Sequence, residues 1–503
     1  MCQEGGGSFP ENFTFYSLTI DYIFFILLVI NLDKNMNTSH YPISLSDIES
    51  RVSKKNSRKN RGKLLQFDFF EETKNNVKEL VNEFGEKIFR IEGDIPEDID
   101  INDGDRFLFI SFDQSKFTHG IHKYPAKFFP ELPRWLIKRY SKEGELILDP
   151  FSGSGTTNLE ALLNSRDSVG IDVDPFSRFL AKVKVTPLSS KSLESAKNCL
   201  LETIIKYIPD KVNDEDIPEF PYRDNWFHKE IIYELSYIKK AINCLEFDEN
   251  IKNFFRVCFS SIIRSVSNAD NNCTRTVIRK KLKKIVKPSD ALNQFSESIL
   301  VNVPKAFEFS SICPSNVKVG FPSDSDARKI KYDDNTFDLA LTSPPYVNAV
   351  DYPRTHQLEI FWLGFFSSSL NPLKKKHVGT ESVSSLDYNK FHHTGFAEAD
   401  NILSKIFKKD KRRAFIAYKY LMDMYKNLSE VYRVIKPNSR YIIVVGNNKI
   451  RGESFENWKY IMIMAKKVGF KIDLYFASEI IRHFIKVPRE ERINTDWIIV
   501  LQK

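Results

Sequence analysis

The sequence predicts an α/β fold: a mostly parallel sheet with helices on both faces, carrying a helical insertion. Three observations predict it. Residues 145–183 read as strand, glycine-rich turn, helix, strand and helix, a βαβ unit with short connections. Residues 187–322 then lose strand signals and repeat apolar residues at helical spacing, as in "LLETIIKYI" and "IIYELSYIKKAI". Strand-like segments return at 337–342, 440–446 and 496–503.

At 503 residues, with 42% hydrophobic and 28% charged residues, the chain has the composition of a folded globule of two or three domains. Residues 1–104 are expected to be a leader and basic arm, partly disordered. The apolar run "YIFFILLVINL", Tyr22 to Leu32, is shorter than the ~20 residues a membrane span needs. It lacks a basic flank and a small-residue cleavage site, so no membrane partner is expected. Met36 is read as the true start, or the leader as a weakly ordered appendage. Residues 51–63, "RVSKKNSRKNRGK", carry seven Lys or Arg without an apolar period and read as a phosphate-tracking arm or a solvated linker. The net charge of +8 is compatible with a polyanionic partner. The six cysteines include no C-x-x-C pair and the nine histidines no ligand spacing, so a reducing, cytoplasmic setting and no metal site are expected.

Order is expected from about residue 105. "DRFLFISF" reads as a short strand, and Pro133 sits in the first turn of a helix over 131–141. A strand at 145–148 leads into "DPFSGSGTT", Asp149 to Thr157, and then a helix over 156–165. Gly153 and Gly155 allow a sharp turn and the close approach of a ligand. A second strand, 167–172, ends in Asp172, placed to accept hydrogen bonds from a ribose diol, and a helix covers 175–183. The turn lacks the third glycine of a dinucleotide fingerprint and the lysine of a P-loop. Asp149 puts a negative charge near it, which suits a cation better than a pyrophosphate. S-adenosylmethionine, with a sulfonium, an ammonium and a ribose, fits. Further on, "TFDLAL" alternates as a half-buried strand, and "SPPY", Ser343 to Tyr346, stops it with two prolines at its carboxyl end.

Together "HKYPAKF", "DPFSGSGTT", "GIDVDP", "SDAR", "TSPPY" and "VVGNN" resemble a DNA amino-methyltransferase, of the type that methylates cytosine at N4 or adenine at N6. The similarity covers roughly 119–186 and 320–503 and implies a Rossmann-like methyltransferase fold, with the terminal strand 496–503 antiparallel. By resemblance Asp149, Phe151, Gly153, Gly155 and Asp172 bind S-adenosylmethionine, and Pro125, Ala126, Lys127 and Phe128 flank its methionine end. Asp326 meets the adenine edge, with Asp324 as a rival for that role. Ser343, Pro344, Pro345 and Tyr346 match the catalytic motif. The Ser343 hydroxyl and the Pro344 carbonyl would accept from the exocyclic amine of a flipped base, and Tyr346 would stack on it. Asp351, Tyr352, Arg354 and Asn447 are further candidates around that loop.

Ser at the motif's first position leans toward cytosine N4, with adenine N6 as the alternative. An RNA methyltransferase and a non-catalytic DNA-binding subunit are the rival classes. Double-stranded DNA is the expected partner, in a prokaryotic restriction–modification setting whose endonuclease would be a separate chain. The expected division is a cofactor part at 105–186, a helical insertion at 187–322 and a catalytic part at 323–503 with a variable segment at 366–413. Two segments compete as the DNA reader: a basic helix at "RTVIRKKLKKIVK", Arg275 to Lys287, and the variable segment.

Overall fold

The alternating and continuous apolar runs assemble into a ten-stranded sheet in order β1-β2-β3-β11-β12-β8-β7-β4-β5-β6. The computed structural model describes residues 77–81, 85–208, 212, 214–279, 284–347, 350–480 and 495–503. The leader, Met36, the arm at 51–63 and residues 280–283 of the basic stretch lie outside the described residues.

The strands are β1 Val77–Val81, β2 Lys87–Glu92, β3 Arg106–Ile110, β4 Leu146–Asp149, β5 Asp167–Gly170, β6 Val319–Gly320, β7 Phe337–Thr342, β8 Ile435–Gly446, β11 Lys471–Glu479 and β12 Thr495–Gln502. A separate hairpin joins β9 Asn448–Ile450 to β10 Glu453–Phe455. From β8 to β6 every neighbouring pair is parallel. β12 runs antiparallel to both β8 and β11, as the resemblance implied.

Helix α1 (Glu131–Tyr140) buries Leu132, Trp135, Leu136 and Ile137 in a cluster with Ile147, Leu339 and Ile442 of the sheet. On the other side α9 (Lys411–Val434) and α10 (Asn457–Val468) pack Leu421, Leu428 and Ile461 with Leu148, Ala340 and Ile443. The two clusters take alternate residues of β7, Leu339 against Ala340, the period-2 rule of a strand covered on both faces. The chain first builds β4, β5 and β6 in one direction and then returns to place β7 beside β4. The crevice beyond the carboxyl ends of β4 and β7 is therefore the topological switch point, where open α/β sheets bind ligands.

Between β4 and β5 lies α2 (Thr156–Leu163), and α3 (Pro175–Lys184) follows β5, its first turn capped by the Asp174 carboxylate accepting from the Phe176 N–H at 2.9 Å. The region 187–322 holds α4 (Ser190–Ile205), α5 (Lys229–Asn243), α6 (Glu249–Ile263) and α7 (Asp290–Ile312) around a core of their own. That core also takes in Leu358 and Trp362 from the segment after the diproline corner. In the variable segment, α8 (Ala397–Lys409) packs beside α9.

Two expectations need correction. Order does not begin near 105: β1 and β2 precede it, joining β3 at the sheet edge, with β1 largely exposed. The basic stretch is not a helix in its described part. Residues 275–279 and 284–287 are irregular, tied down by Thr276, whose hydroxyl donates to the Thr355 carbonyl at 2.7 Å. Three β-branched residues in succession, Thr276 to Ile278, disfavour a helix start there. Among the described residues no helix is long and apolar enough to cross a membrane.

Candidate active site

Because β4 and β7 are parallel neighbours, with Ile147 opposite Leu339 and Leu148 opposite Ala340, their carboxyl ends lie side by side. The glycine turn leaves one and the diproline corner leaves the other. Both line a single cleft, together with Tyr124, Ala126, Lys127, Phe128, Asp172, Asp326 and Tyr352. Its empty space, counted out through the open mouth into solvent, is about 830 Å3. The two loops are tied directly: the Thr342 hydroxyl donates to Asp149 Oδ1 at 2.6 Å, a buried hydrogen bond across the switch point.

Asp149 is buried, and burial pushes its carboxyl up to about 6 against the pull of the Thr342 hydroxyl and the Phe151 N–H. It serves two purposes: it turns the loop through Phe151, and it fastens β7 through Thr342. Phe151 and Gly153 line the cleft beside it. Gly153 has φ +48°, and its N–H donates to Asp172 Oδ2 at 3.0 Å. Asp172 lies just past the end of β5 rather than within the strand, and also accepts from the Asp174 N–H at 2.8 Å. Burial, then neighbouring Asp174, raises its carboxyl to about 6. Gly155 does not line the cleft; at φ +76° a Cβ there would stand 2.7 Å from the Ala181 Cβ. The absence of a Cβ there lets α2 pack closely on α3.

Asp326 faces the cleft, held by Arg328 Nη2 at 2.7 Å and Nε at 2.9 Å. Asp324 instead pairs with Lys331 on the exposed side of the turn and does not line the cleft. Lys127 donates to the carbonyls of Gln114 at 2.8 Å and His119 at 3.2 Å, and burial lowers its ammonium to about 8. Next to it Ala126 holds a left-handed backbone, φ +52°, unusual for a residue with a Cβ and concentrated at functional sites in proteins generally. Phe128 lines the wall and Pro125 does not.

At the diproline corner Ser343 and Pro345 face the cleft, while Pro344 is buried. Tyr346 turns its hydroxyl to Asp496 Oδ1 at 2.9 Å and is not part of the lining. Asp351 caps the short helix Tyr352–Thr355 through the Arg354 N–H. Tyr352 stacks on Tyr124 at 5.5 Å, making an aromatic wall, and Tyr124 bonds Ser177 at 2.8 Å. Asn447 follows β8 with its side-chain oxygen buried and no hydrogen-bond partner among the described residues. Tyr124, Thr342, Lys376 and His377 went unread in the sequence. Tyr124 stands inside "HKYPAKF" and could have been picked out there; the others carry no spacing signal.

The lining fits S-adenosylmethionine. Asp149, Asp172 and Asp326 give the cleft an acidic character suited to a cation, and Lys127 lines the same cleft. Ser152 and Thr157 also line the cleft, with their hydroxyls buried in the turn.

The DNA methylase family N6_N4_Mtase matches residues 13–182, which include the glycine turn. Among curated relatives, the Type II methyltransferase M.MvaI of Kocuria varians is 27% identical over 372 residues, 70% of this chain and 82% of that protein. M.BsoBI of Geobacillus stearothermophilus is 25% identical over 420 residues, 73% and 81%. M.MjaII of Methanocaldococcus jannaschii reaches 32% over 148 residues, 28% of each. With its glycine turn, acidic cleft and diproline corner, the chain is thus similar to the DNA amino-methyltransferases, and these likenesses mark it as a DNA methyltransferase that draws its methyl group from S-adenosylmethionine.

Proposed function

We propose that the chain methylates the exocyclic amine of a base flipped out of duplex DNA, that the base is cytosine and the position N4, and that it is the modification partner of a separate restriction endonuclease. The observation that carries this reading is the shared cleft: Ser343 and Pro345 face the same space as Gly153 and Asp172, and Thr342 is bonded to Asp149.

S-adenosylmethionine supplies an electrophilic methyl group on a sulfonium. The chain's own residues do the rest by placement. Asp172 would receive the cofactor's polar groups, and Asp326 its adenine edge. The amine of a nucleobase is a weak nucleophile because its lone pair is delocalised into the ring. The Ser343 hydroxyl and the Pro344 carbonyl accept its two N–H bonds and draw the nitrogen toward tetrahedral geometry. Proline rigidity keeps these acceptors still, and holding both reactants in line accounts for most of the acceleration. Extruding the base takes it out of the stack.

The test is mass spectrometry of nucleosides from unmodified plasmid DNA incubated with the protein and S-adenosylmethionine. N4-methylcytosine is expected. N6-methyladenine alone would overturn the choice of base, label in RNA alone the choice of substrate, and no transfer the enzymatic reading.

A further inference from the structure

Tyr346 and Asp496 stand 150 positions apart, yet the phenol donates to the carboxylate at 2.9 Å. The sheet explains the meeting. β12 is antiparallel to β8, so it enters the sheet where the parallel strands end: Asp496 is opposite Gly446, the last residue of β8. β7 is the other neighbour of β8, with Thr342 opposite Ile443, and the diproline corner leaves from that same end. Asp496 also sits on a rigid support. The next residue, Trp497, stacks on Trp458 at 4.1 Å and 11°, and Ile498 to Leu501 are buried.

A carboxylate half-buried at such a place is costly, and burial raises it to about 6. Packing alone would be served as well by an apolar residue. Its hydrogen-bond partner among the described residues is the motif tyrosine. We infer that Asp496 is a positioning residue for Tyr346: it fixes the phenol's direction and so presets the diproline corner from the far strand. The inference deepens the proposed function and rests on it for the base. The fastening itself is a statement about the loop alone.

Four variants test it: Tyr346→Phe, Asp496→Ala, Asp496→Asn and the Tyr346→Phe/Asp496→Ala pair. With unmodified plasmid DNA, Tyr346→Phe and Asp496→Ala should each lower kcat by about tenfold to a hundredfold, with KM for the cofactor within about twofold of the parent. The pair should be no worse than either single change, since both cut one link. Asp496→Asn keeps an acceptor and should restore most of the rate. Wild-type kcat in Asp496→Ala, losses that multiply, or a parallel loss of cofactor affinity would overturn the inference. Hydrogen exchange gives a readout independent of turnover: the amides of Ser343, Tyr346 and Val347 should exchange about tenfold faster in Tyr346→Phe with the melting midpoint unchanged. Unchanged protection there overturns the fastening even if the protein transfers no methyl. A parent that transfers none, with protection lost in the variant, overturns only the proposed reaction.

Discussion

The two loops that meet in the cleft leave adjacent parallel strands and are built by opposite means. The turn after β4 depends on freedom: Gly153 takes a positive φ where a Cβ would press on Tyr124 at 3.4 Å, and its backbone N–H is committed to Asp172. The corner after β7 depends on restriction: Pro344 and Pro345 fix φ, and Tyr346 is fastened by its hydroxyl. A loop that must let a ligand approach its backbone needs small residues. A loop that must hold acceptors still against a moving base needs stiff ones. Asp149 joins the two, since it shapes the first loop and receives the hydroxyl that precedes the second.

Ser343→Ala removes the acceptor proposed for the reacting amine and should lower kcat about a hundredfold, with cofactor affinity by calorimetry unchanged. Equal loss of affinity would mean that the two loops are not separate in function. Gly155→Ala, 2.7 Å from the Ala181 Cβ at φ +76°, should cost roughly 1–3 kcal/mol of stability in denaturant and act on rate only through folding. Thr342→Val unfastens the loops and leaves Asp149 buried with less support. It should cost about 1–2 kcal/mol and raise the Asp149 carboxyl further above 6.

The smallest effect is one of pH. Asp149 and Asp172 are both held at about 6, so they are charged above that value and neutral below it. A cationic cofactor favours the charged forms. Its affinity should therefore weaken about tenfold from about pH 7.5 to about pH 5, and a flat profile would detach both carboxylates from the cofactor.

The parts legible in the sequence are those where local chemistry and fold agree. β4, α2 and α3 announce themselves by apolar period, glycine and cap, and β7 ends at Thr342, just before the Ser343-Pro344-Pro345 stop. β1 and β2 were unread because "VKELV" and "KIFRIE" are charged edge strands, stabilised by pairing rather than by a buried face. β8 begins at Ile435, five residues earlier than its apolar run, because Pro437 and Asn438 (φ +65°) imitate a turn inside it. In the site, Gly153, Asp172 and Asp326 could be named from motifs. Thr342 and Asp496 could not, because their partners lie 193 and 150 residues away and only the sheet order brings them together.

The most direct test is a crystal structure with S-adenosylhomocysteine bound. The account predicts the cofactor's adenosine along Gly153, Asp172 and Asp326, with its sulfur turned toward Ser343 and room for one methyl group and one amine between them, a separation of roughly 5–6 Å. A cofactor bound away from the glycine turn, or a sulfur facing away from Ser343, would contradict it.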